Sequence, residues 1–138
     1  MIFKNLQKRA LLSLLLIASF SLHLTVEYAL PGRLLADESA KAQLQQGVEQ
    51  FKNADFQAAI QSLQAAIHAG LTEKQDIILA HKTLASAYAA IGETDKARLE
   101  YIKLLETYPV FDLLLTDAPH LRAIFSQAKE DLSEEDTE

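Results

Sequence analysis

A chain of 138 residues, 49% hydrophobic and only 7% aromatic with four Gly and three Pro, has room for one small domain and favours helix over sheet. The absence of cysteine excludes disulfides, thiolate metal ligands, a cysteine nucleophile and a lipid-modified cysteine. The net charge of −6 is uneven: residues 1–36 hold four basic residues against Glu27, and the remainder holds nine basic against eighteen acidic residues, an acidity that argues against nucleic acid as a partner.

In chain order, Lys4, Lys8 and Arg9 precede the apolar run LLSLLLIASFSLHLTV, which ends at Val26; the breaker Pro31-Gly32 and RLLA follow, up to Ala36. A positive start, an apolar middle and a small-residue end make 1–36 a predicted secretory signal, with the mature chain beginning near Asp37 and periplasmic or secreted. The alternative is a retained inner-membrane anchor over 10–26, at the short edge of what spans a bilayer. Residues 37–131 are the predicted helical domain, and the acidic stretch 132–138 is a predicted disordered tail with little to bury.

Within the domain, apolar spacing predicts five helices at about 38–53, 55–69, 73–91, 94–108 and 118–131. Gly47, Phe56, Ala59, Leu63 and Ala66 recur as Ala85, Thr94, Ala97, Tyr101 and Leu104 at a constant offset of 38. A fixed offset across small, large and turn positions marks a structural repeat. KNAD and IGET then become turns inside helix pairs, with Gly92 left-handed and Asp55 and Thr94 as N-caps. Gly47 and Ala85, mid-helix, mark close helix contacts that Ala59 and Ala97 face. Phe51, Phe56, Leu63, Ile67, Leu84, Tyr88, Tyr101 and Leu105 fill the core. Thr72 with Gln75 reads as a capping box for a third helix longer than its counterparts. Val110–Leu115 is a short apolar connection, Asp117 a predicted N-cap, and Pro119 sits near the start of a final helix. Leu121, Ile124, Phe125 and Ala128 give that helix the face that covers the second repeat.

Each copy resembles a tetratricopeptide repeat. Leu84, Ala85, Tyr88, Ala97, Tyr101, Leu104 and Pro109 occupy the family positions in the second copy, and Gly47, Ala59, Leu63 and Ala66 do so in the first, where Gln43 replaces the leading aromatic. The segment YPVFDLLLTDAPHLRAIF is more distantly similar to small bacterial envelope proteins, including tetratricopeptide lipoproteins associated with type VI secretion, whose lipidated cysteine this chain lacks. The resemblance implies an all-α helix–turn–helix array of two repeats plus a C-terminal capping helix. It implies recognition of a protein or peptide in a concave groove. By family position the groove residues are Lys41, Leu44, Val48, Phe51 and Lys52 from the first helix, then Leu79, Lys82, Ser86, Ala89 and Ala90 from the third. Three lysines in an acidic domain suggest an acidic segment on the partner.

No Gly-rich phosphate loop, G-x-S-x-G or His-x-x-x-His pair occurs, and His68, His81 and His120 are isolated in sequence. The expectation is a non-catalytic interaction module, without cofactor or metal, that supports assembly of a bacterial envelope or secretion complex. A self-associating structural subunit without a groove ligand is the alternative, because two repeats and one helix fall short of the usual three. A small metal protein or enzyme built on the His residues, Asp112 and Asp117 comes last.

Overall fold

The structure is a computed structural model that describes residues 31–135, with side chains from Ala36 to Glu134. The expected signal or anchor at 10–26 and the last three residues of the expected tail lie outside the described residues. Five helices follow in order: α1 (Pro31–Lys52), α2 (Phe56–Ala69), α3 (Lys74–Ala90), α4 (Thr94–Thr107) and α5 (Pro119–Glu135). Among the described residues there is no strand, so the fold is an all-α array of helix pairs. No described helix is long and apolar enough to cross a membrane.

Number and order agree with the expected elements; the ends differ for local reasons. The first helix begins at Pro31 rather than 38, with proline where its missing N–H leaves nothing unsatisfied. The last continues through 132–135 instead of fraying at 131, because Leu132 packs against the core and holds the extra turn.

The repeat is carried by the backbone itself. The helices α2 and α4 are each 14 residues long, and both ends of the second lie 38 residues beyond those of the first; Lys52 and Ala90, the ends of α1 and α3, keep the same offset. The turns match bond for bond. In the first, Ala54 N–H donates to the Phe51 carbonyl at 3.0 Å and Asp55 N–H to the Gln50 carbonyl at 2.9 Å; in the second, Gly92 N–H donates to Ala89 at 3.1 Å and Glu93 N–H to Tyr88 at 2.9 Å. Each turn needs one left-handed residue to close its helix. Gly92 fills that role at φ 83°, as expected, but its counterpart is Ala54 at φ 60°.

Side-chain capping is sparser than the sequence suggests. The Asp55 carboxylate accepts from Ala58 N–H at 3.4 Å. Thr94 is already helical, and Glu93 before it makes no side-chain cap. Thr72 does not form the expected box: α3 starts at Lys74 after an uncapped Glu73, and the Thr72 hydroxyl donates to Asp37 at 3.0 Å, tying the α2–α3 connection to α1. Asp117 does not cap α5; its carboxylate accepts from Leu114 N–H at 2.8 Å while Pro119 opens the helix.

Packing follows the repeat. Ala59, Leu63 and Ala66 are fully buried, as are Ala97, Tyr101 and Leu104. A Cβ added at Gly47 would sit 2.7 Å from Leu63 Cγ and 3.1 Å from the Leu63 backbone nitrogen, so α1 rests directly on α2 there. Beyond the second pair, Phe125 of α5 stands edge-on to Tyr101 at 5.2 Å and to Phe111 at 5.8 Å, closing the array with aromatic contacts.

Two substitutions test this packing and turn geometry. Gly47→Ala gains ~1 kcal/mol of helix propensity. Overpacking against a backbone atom that cannot rotate away costs ~1–3 kcal/mol, and this term wins. The urea midpoint falls; a rise would mean the helices are not in contact at this point. Ala54→Gly relieves a left-handed alanine and raises the melting temperature by the equivalent of about 1 kcal/mol. Gly92→Ala, with no neighbour within 4 Å of the new Cβ, lowers it through backbone strain alone. Equal, small effects at both sites would contradict the shared turn.

Candidate functional site

The first helices of the two pairs, α1 and α3, border a solvent-open groove of about 420 Å³. Leu44 and Val48, one turn apart on α1, meet Leu79 from the first turns of α3 there. Leu44, only 3% exposed, is the floor; Val48 is half-buried beside it; Leu79 from α3 is 43% exposed and stands as the open apolar wall. Lys41, Lys52 and Gln45 from α1, with Glu49 and Asp76, form the rim.

Five of the expected groove residues therefore converge: Lys41, Leu44, Val48, Lys52 and Leu79. The other five do not line it. Phe51 turns into its own helix pair, its ring 5.6 Å from that of Phe56. Lys82 reaches Asp117 at 2.8 Å and ties α3 to the segment leading into α5. Ser86 is buried, and its hydroxyl donates to the Lys82 carbonyl one turn back at 2.9 Å. Ala89 packs on the core, and Ala90 is exposed at the end of α3. The expected groove face runs the whole length of α3, but the Asp117 tie brings the α5 approach across its middle. Gln45, Glu49 and Asp76 were missed. Their signal was present, since Gln45 and Glu49 lie one turn apart on α1 and Asp76 lies one turn before Leu79.

The rim is balanced in charge. Lys41 Nζ lies 3.0 Å from Asp37, which also accepts from Thr72. The hydrogen bonds from Lys41 and Thr72 hold the Asp37 carboxyl below the usual range, and the bond to Asp37, reinforced by the charges of Asp76 and Glu73, raises the Lys41 ammonium. Lys52 Nζ is 3.6 Å from Glu49, a loose contact with both side chains about two-thirds exposed. All three lysines expected to present positive charge are thus answered by carboxylates, Lys82 by the one with the best geometry.

A second polar cluster lies between α3 and α4. His81 Nδ1 sits 2.8 Å from Glu100 Oε2, with only 13% and 9% of the two side chains exposed, and Lys103 Nζ reaches the other carboxylate oxygen at 2.7 Å. Burial pushes the Glu100 carboxyl up; the bonds from His81 and Lys103 outweigh burial and leave it below its usual value. His81 also borders a cavity of about 230 Å³ with Ile67, Leu71, Ile77 and Thr107. Among the described residues, no group of three or more His, Asp or Glu is placed to hold a metal ion.

Because folding lowers the Glu100 pKa, its contribution to stability is present above the ordinary value of 4.5 and is lost as pH falls through the lower folded value. Glu100→Gln is therefore less stable than the parent at neutral pH. The gap between their urea midpoints narrows as pH falls toward about 3. A gap that stays constant with pH would mean the carboxylate charge contributes nothing.

Comparison with protein-family models, with curated proteins and with solved structures finds no match for the chain, so function is argued from the residues and geometry above.

Proposed function

We propose that this chain is a non-catalytic protein–protein interaction module of the tetratricopeptide kind, whose groove between α1 and α3 receives an apolar segment of a protein partner in the bacterial envelope. One observation carries the reading: a solvent-open groove with buried Leu44 as its floor, half-buried Val48 beside it and exposed Leu79 as its wall, between the first helices of two repeated pairs. The 38-residue offset shared by α2 and α4 and by the two turns supports the family reading. The basic and apolar layout of residues 1–26 supports the envelope setting.

The balanced rim changes the partner's expected chemistry. Rather than an acidic segment, it favours an amphipathic one: apolar side chains one helical turn apart enter the groove, and polar groups of either sign meet the rim. Burial of two or three aliphatic side chains yields ~1.5–3 kcal/mol each. Much of that is offset by lost freedom on association, which suits an exchangeable contact. Stacking of arrays on one another is less well supported. The outward faces of the terminal helices are polar, with Glu38 and Gln46 on α1 and His120, Gln127 and Glu130 on α5, all exposed as capping faces are.

A photo-reactive residue at Lys52, in the intact chain in its native cell, is expected to form protein adducts that Leu79→Asp abolishes while the helical circular dichroism persists. The same residue at Gln61, exposed on α2, is expected to form none. Adducts that survive Leu79→Asp, or their absence from position 52, would overturn the groove.

A further inference from the structure

His81 has only one of its ring nitrogens engaged. Nδ1 lies 2.8 Å from Glu100, whose ionised carboxylate can only accept, so Nδ1 carries the ring proton. Lys103, 2.7 Å from the other carboxylate oxygen, fixes the arrangement. Among the described residues none bonds Nε2, which in the neutral ring presents a lone pair. His81 borders the cavity of about 230 Å³ between α2, α3 and α4, whereas Glu100 and Lys103 do not. The edge of the ring turned away from Glu100 is therefore the one the cavity meets.

The remaining walls are apolar and offer no side-chain donor. Ile67 comes from the end of α2, Leu71 from the connection after it and Ile77 from near the start of α3, all half-buried. The Thr107 hydroxyl is committed to the Lys103 carbonyl at 3.1 Å. No carboxylate, lysine or arginine lines the space. The tetratricopeptide pattern has its leading aromatic residue at the place of His81, and the smaller imidazole held by Glu100 leaves this room beside it. A cavity of ~150 Å³ walled by apolar side chains already admits benzene. A nearly buried ionic cluster is also a costly way to join two helices, since apolar groups of similar volume often serve as well.

We infer that this cavity binds a small phenol, whose ring lies against Ile67, Leu71 and Ile77 and whose hydroxyl donates to Nε2 of His81. The lining selects that class. An aromatic ring suits the volume and the aliphatic walls; a donor is required because His81 and Thr107 have only acceptor capacity left; and a lining without ionic side chains favours a neutral molecule over a carboxylate. Glu100 acts as a positioning residue, holding the tautomer that leaves Nε2 bare. The cavity shares no lining residue with the groove between α1 and α3, so this inference and the groove reading stand or fall separately.

The test is a titration of the isotope-labelled full-length chain with p-cresol at about pH 8, followed by nuclear magnetic resonance at the His81 imidazole nitrogens and the Leu71 methyl groups. Both sets of resonances are expected to shift together and to saturate, with the larger nitrogen shift at Nε2. Toluene, the same ring without the hydroxyl, is expected to bind about tenfold more weakly and to leave Nε2 nearly unmoved. Ile77→Trp fills the cavity while keeping His81 and Glu100, and is expected to abolish the response. Should that variant not fold, His81→Phe fills the space from the other side, and the Leu71 methyl groups report the same loss. His81 resonances that p-cresol does not move, toluene binding as tightly as p-cresol, or a response that survives in the folded filled variant overturns the inference.

Discussion

The absence of a single side chain at Gly47 governs how the helices are spaced. Without a Cβ there, α1 settles against the Leu63 backbone of α2; with one, the helices would have to separate. In the second pair the same place is taken by Ala85, which is fully buried, as is Tyr101, the counterpart of Leu63. The groove depends on this spacing, because Leu44, its floor, sits about one turn before Gly47 on the same helix.

Polar groups divide between holding the array together and shaping its open face. Lys82 with Asp117 and His81 with Glu100 join different elements where side-chain exposure is low, so their geometry is enforced. Lys52 with Glu49 joins neighbours on one helix in water and contributes little to stability. The lysine that looked like part of a recognition surface is thus a strut, and the loosely held one is the lysine free to meet an incoming chain.

Helix number, order and the 38-residue offset were legible because periodicity and small-residue spacing are local properties of the chain. Gly92 was legible as the left-handed turn residue from its type. Its counterpart 38 positions earlier, Ala54, carries no such signal, since alanine does not favour that conformation and is held there by the turn's two hydrogen bonds. Capping at Thr72, Thr94 and Asp117 was misjudged for one reason: each residue type suits a cap, and only the folded chain sets a competing partner or the helix start. The groove was half legible. Its α1 residues and Leu79 follow from helix faces, whereas the fate of Lys82 depends on Asp117, which lies more than thirty positions further along the chain.

The two pairs are alike in backbone but unequal in how firmly they are fastened. The first closes its turn with a left-handed alanine and buries the Gln43 side-chain oxygen without a hydrogen-bond partner. At the corresponding place the second has His81, bound to Glu100, and its turn has Gly92. Amide hydrogen exchange on this fold would accordingly be graded: α1 and α2 open at lower free energy than α3 and α4. One wall of the groove belongs to the readily opened half and the other to the resistant half. An occupant bridging them slows exchange most in α1, so occupancy of the site is written into the protection of a helix whose own contacts are the weaker set.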